Sequence, residues 1–313
     1  MDGVVQMSDE MTGISEQSAV TTGYPICTRE ICWSWQAHAL TVGIDEAGQG
    51  RPVLMLPALS SISTRLEMHP LVQRLAGTAH LIVPDWPGFG DRPRPAMSWT
   101  PDALAAFLVH LVATELPPLH ATLAAGHAAS YALDLAAQRP GVLGRLALLA
   151  PTWRGPLPTM AGGDRPLFHA IRRTIGVPIV GPLIYRLNVN RFVVNKMVAG
   201  HVYSNAGFLS GERVREKLRV IRAPGARYGS AAFVTGGLDR FGDRAHFLDM
   251  ARRAGVPLLV IYGAETPPKS RAEMRALAEI PGIQSHVTAR GKLGFHEEFP
   301  DELSACVRDF LRA

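Results

Sequence analysis

Cysteine is scarce: Cys27, Cys32 and Cys306 are the only three in 313 residues, with neither an even disulfide framework nor a metal-ligand spacing. A reducing cytosol is the default compartment for such usage, so a cytoplasmic protein with no structural metal is expected. No apolar run reaches the roughly 18 residues of a membrane-spanning helix. No basic segment followed by an apolar one opens the chain, so no secretory leader is read there. No glycine-rich phosphate loop precedes a helix in a strand–helix–strand setting, and no metal-ligand cluster appears. No cofactor is therefore expected. Charged residues make up only 19% against 47% hydrophobic, which lets the chain bury a large core.

The charge that is present is unevenly placed. The net value is +5. Residues 1–28 hold Asp2, Asp9, Glu10 and Glu16 and no Lys or Arg, and read as a flexible tail. Residues 152–233 hold thirteen Lys or Arg against Asp164, Glu212 and Glu216, a local excess of +10. Such an excess suits an anionic ligand or surface, or simply a solvated basic face. Apolar residues are interleaved with the basic ones and no nucleic-acid module is recognisable, so nucleic-acid binding is not expected.

Outside these two segments, strands and helices alternate. Ile31–Asp45 reads as two strands, and Pro52–Leu56, His80–Pro84, Leu119–Ala125 and Leu146–Leu149 as further short strands. Leu66–Leu75 and Ala129–Arg139 read as helices between them. Thr100-Pro101-Asp102 carries the hydroxyl cap, early proline and acid of a helix start. Leu104, Phe107, Leu108, Leu111 and Val112 then form one apolar face. Pro257–Tyr262 and Ser285–Ala289 read as strands, with helices at Lys269–Ile280 and from Pro300 onwards, the last burying Leu303, Cys306, Val307 and Phe310. This order predicts an α/β fold with a doubly wound, mostly parallel sheet built from 29–151 and 234–313. Residues 152–233, broken by Gly and Pro, predict a helical lid insertion.

Three motifs resemble the α/β-hydrolase superfamily, and in particular its lidded branch. They are the loop Asp85-Trp86-Pro87-Gly88-Phe89-Gly90, the strand-to-helix elbow around Gly126-His127-Ala128-Ala129-Ser130, and the loop Gly291-Lys292-Leu293-Gly294-Phe295-His296-Glu297-Glu298 before the last helix. The resemblance implies a nucleophile on the elbow, an acid in the loop after the seventh strand, and a catalytic histidine. In the expected register the nucleophile position is Ala128, which cannot attack. Ser130 is the nearest hydroxyl. Glu265 stands one residue before Thr266, which aligns with the acid position. His296 matches the catalytic histidine. The backbone N–H groups of Leu59 and Ala129 are the expected oxyanion donors. His127, Trp86 and Trp153 are expected around the substrate.

Three functions follow from these residues. In the first, an enzyme without a covalent intermediate acts on a small lipophilic or anionic molecule, with His296 as general base. In the second, a dead hydrolase scaffold binds a ligand or partner without chemistry. In the third, a hydrolase attacks through Ser130. The apolar residues Leu183–Val198 with Arg186, Arg191 and Lys196 also suggest weak, salt-sensitive contact of the lid with an anionic membrane surface.

Overall fold

The computed structural model describes residues 23–188, 198–205 and 207–313. Residues 1–22 of the expected tail, and Arg191 and Lys196, lie outside them. The hairpin β1 (Cys27–Trp35) and β2 (His38–Ala47) opens the chain, so strand begins inside the expected tail. Next come β3 (Pro52–Leu56), a 3-10 turn (Arg65–Met68), α1 (His69–Leu75), β4 (His80–Pro84) and α2 (Pro101–His110). The central unit follows as β5 (Ala121–Ala125), α3 (Ala128–Gln138) and β6 (Arg145–Leu149).

After β6 the chain runs through α4 (Pro156–Ala161), α5 (Pro166–Gly176), α6 (Val180–Asn188), α7 (Gly211–Arg222) and α8 (Ala226–Val234). It returns through α9 (Arg244–Arg253), a helix not foreseen in the sequence, to β7 (Leu258–Gly263), α10 (Pro268–Ala278) and β8 (Gln284–Thr288). A short α11 (Phe295–Glu298) and α12 (Pro300–Arg312) close the chain.

The eight strands form one sheet in the order β1-β2-β4-β3-β5-β6-β7-β8. The strands from β4 to β8 pair in parallel, and β1 and β2 are antiparallel. β5 is buried at every residue, as a central strand covered on both faces must be. Reversal of strand order around β3 and β4 puts the site at the carboxyl ends of the strands.

Two buried assemblies fix that end. Arg65 in the 3-10 turn reaches Asp45 on β2, Asp85 after β4, and Asp91. A second, small apolar cluster of Ile62, Val198, Tyr203 and Ile221 joins the segment after β6 to the loop after β3.

Candidate active site

The elbow lies two residues earlier than the sequence suggests. Gly126 is the first residue after β5 and takes φ +51°, the left-handed conformation open to glycine. Its N–H donates to the Leu149 carbonyl at 2.8 Å, and its own carbonyl accepts from Thr152 at 3.0 Å and Ala129 at 3.3 Å. Ala128 is already the first residue of α3 and is buried. The position that would aim a side chain is therefore Gly126. Neither Gly126 nor Ala128 carries a nucleophilic side chain.

A side chain at Gly126 would also be crowded on one side. A Cβ built there would lie 3.1 Å from the Ala58 methyl. Gly126→Ser should therefore cost about 2 kcal/mol or more, from left-handed strain and crowding together. Urea unfolding checks this, and an unchanged midpoint would contradict the elbow assignment.

Ser130 is no substitute. It is fully buried in the first turn of α3, and its hydroxyl donates to the His127 carbonyl at 2.8 Å. His127 itself anchors a neighbouring loop: its Nε2 lies 3.0 Å from the Leu238 carbonyl, which also accepts the Tyr131 hydroxyl at 2.7 Å. The His127 ring stands edge-on to Phe233. Ala129, an expected oxyanion donor, gives its N–H to Gly126.

His296 sits on α11 and meets a carboxylate that sequence reasoning missed. Its Nε2 is 3.2 Å from Oε1 of Glu67, with side chains only 2% and 3% exposed. The same Glu67 oxygen accepts the Ala58 N–H at 2.6 Å. Ala58, Glu67 and His296 thus form one chain of contacts, and any side chain added at Gly126 would meet Ala58. Burial alone would raise the Glu67 carboxyl, but the adjacent His296 imidazole and the charge of Lys217 hold it below its ordinary value.

Behind the pair stands a second buried group. Lys217 Nζ donates to Glu297 Oε2 at 3.1 Å, and the Tyr203 hydroxyl donates to the same oxygen at 2.5 Å. Burial opposes the Lys217 charge, yet Glu297 and Glu67 together hold its pKa above the ordinary value. Burial, then the adjacent Glu297 charge, pushes the Tyr203 phenol well up. Both missed ions sit on buried helix faces: Glu67 stands four residues before the buried Leu71, and Lys217 lies between Val214 and Ile221 on α7. An ion on an apolar face was the readable signal.

Glu265 does not fill the acid role. It is exposed, and its carboxylate accepts the Gly291 N–H at 3.1 Å, bracing the loop before α11. The nearby Ser204 hydroxyl and the Gly291 N–H hold its pKa below the ordinary value. Thr266, at the acid position, is buried, and its hydroxyl has no partner among the described residues. Both ring nitrogens of His296 likewise have none, so its approach to Glu67 is an ion-pair distance rather than a made hydrogen bond.

The tryptophans have structural partners. Trp86 Nε1–H donates to the Pro57 carbonyl at 3.0 Å, and its ring packs on Tyr131. Trp153 stacks on Phe247, beneath the Arg154 guanidinium. Leu59 is fully buried. Among the described residues no three His, Cys, Asp or Glu side chains gather as a metal site.

A cavity of about 650 Å³ lies elsewhere, between the 96–100 loop, α5 and α8. Arg172, Arg173, Arg227 and His169 line it with Met97 and Trp99; its walls hold no acid and neither His296 nor Glu67.

Residues 53–305 match the model of the alpha/beta hydrolase family, and the chain belongs to that family. Several solved hydrolases share its architecture. An epoxide hydrolase, CorEH, is 17% identical over 91% of this chain and 99% of its own, with a TM-score of 0.70. A thermophilic esterase from Thermogutta terrifontis is 21% identical over 91% and 98%, with a TM-score of 0.65. The enol-lactonase from Burkholderia xenovorans LB400 is 18% identical over 88% and 97%, with a TM-score of 0.67. At these identities the likeness carries the fold alone. No curated protein sequence matches the chain.

Proposed function

We propose that the protein acts on a small lipophilic or anionic molecule by acid/base chemistry through His296. In this reading Glu67 holds the imidazole and stabilises its charged form, and no covalent intermediate is formed. The observation that carries it is the buried His296–Glu67 pair, whose Glu67 also holds the N–H of Ala58, the residue that would crowd a side chain at Gly126. A carboxylate on a histidine serves proton transfer, while the missing side chain removes acyl-enzyme chemistry. The N–H groups of Leu59 and His127 are the candidate oxyanion donors. Helices α4–α8 act as a lid, and their displacement admits substrate to a pair that is almost wholly buried.

The test is turnover on a panel of esters, lactones and epoxides. His296→Ala should lower kcat by roughly 100-fold or more, as loss of a general base does. Unchanged turnover would remove His296 from the chemistry.

A second reading, a ligand-binding protein, is favoured by the arginine-lined cavity, whose size suits a small ligand. Absence of turnover, together with binding of an anionic lipophile that Arg227→Glu abolishes, would select it. The Ser130 hydrolase is not supported, because its hydroxyl is committed within α3.

A further inference from the structure

Water disfavours exposed apolar side chains, and folded chains rarely gather them. Among the described residues, nine large apolar side chains stand exposed, and seven of them fall between Met160 and Leu187. At their centre Val177, Ile179, Val180 and Leu183 surround the corner between α5 and α6, whose axes meet at 114°.

The corner is built rather than frayed. Ile179 is 88% exposed and takes φ +66°, a left-handed conformation costly for a β-branched residue. The Val180 N–H donates to Pro178 at 2.8 Å and the Gly181 N–H to Val177 at 3.0 Å. A Cβ at Gly181 would strike the Ile175 carbonyl, so glycine is needed for that close turn. The fold thus holds an isoleucine outward at a backbone cost.

Charge points to the occupant. From Met160 to Asn188 the chain holds Arg165, Arg172, Arg173 and Arg186 against a single acid, Asp164. Arg165, Arg173 and Arg186 are exposed. Two copies meeting at this face would set arginine against arginine. A bilayer rich in anionic lipid offers both the apolar depth and the opposite charge. Neither helix alone is long enough to span: 11 and 9 residues rise roughly 16 and 14 Å against the ~30 Å hydrocarbon core, and the 114° corner between them sets the two at a steep angle.

We infer that the α5–α6 corner is a shallow anchor on an anionic membrane surface, with Ile179 and Leu183 among the acyl chains and Arg165, Arg173 and Arg186 at the lipid phosphates. The anchor is independent of how His296 works.

Flotation of the full chain with vesicles tests it. Phosphatidylcholine vesicles containing phosphatidylglycerol should bind the chain at low salt, and high salt should weaken binding at least tenfold, while pure phosphatidylcholine should bind little. Ile179→Asp with Leu183→Asp should weaken binding at least tenfold without lowering the melting temperature, since both side chains are exposed. No flotation with anionic vesicles at low salt, or binding that ignores the double substitution, would overturn the proposal. So would a lipid-free dimer in sedimentation velocity that the same substitutions dissolve, since it would assign the face to a second copy.

Discussion

Replacing Arg65 with Ala is expected to cost about 3–5 kcal/mol of stability, because it strips the partner from buried carboxylates. The guanidinium contacts Asp45 at 2.9 Å, Asp85 at 2.5 Å and Asp91 at 2.8 Å. Burial would lower the Arg65 pKa, but these three acids hold it above its ordinary value. Asp45 shows the reciprocal effect. Burial would raise it, but hydrogen bonds from His69, Thr28 and Arg65 bring it down from 3.8 to about 2. A depressed carboxyl contributes stability that is full above about pH 4 and is lost as pH falls toward 2. In the variant the Arg65 share of that depression disappears, so acid unfolding should begin at higher pH. Urea titrations at neutral and acid pH measure both effects. A loss under about 1 kcal/mol, within reach of an exposed pair, would show that the knot is not a closed buried network.

Lys217→Met is expected to be comparably damaging, at about 3–5 kcal/mol, for it leaves Glu297 and Glu67 buried without their cation. Lys217 is only 1% exposed, so water cannot readily take its place. The companion Lys217→Met with Glu297→Gln should recover much of the loss, because it removes the charge that Lys217 balances. A double-mutant cycle by chemical unfolding reads this coupling, expected at about 1–3 kcal/mol between contacting charges. Additive effects would mean that the two ions do not act as a unit.

The sheet was legible because its strands are short apolar runs set between recognisable turns. Pro52–Leu56 and His80–Pro84 fall where the sequence places them, and the Gly291–Glu298 motif precedes the last helix, with Phe295–Glu298 forming a short helix of its own. The strand-to-helix turn was legible too, although its left-handed residue is Gly126 rather than Ala128. Two similar glycine-and-alanine registers compete there, and only the backbone angle separates them. Glu67 was not legible. It arrives from the turn after β3, on the far side of the sequence from His296, and tertiary packing alone brings the two together. Glu265 drew attention by sitting in the expected loop, yet its side chain faces solvent and Gly291. Lys217 was counted with the basic surface of its segment. Its place among Val214 and Ile221 is what marked it as interior.

The claim that this scaffold works without a protein nucleophile is tested most directly by intact-mass spectrometry of rapidly quenched reactions on a substrate found to turn over. The 33.8 kDa chain should keep its unmodified mass at every time point while product accumulates. A transient adduct mapped to Ser130, or an ester on the Glu67 carboxylate, would contradict the account.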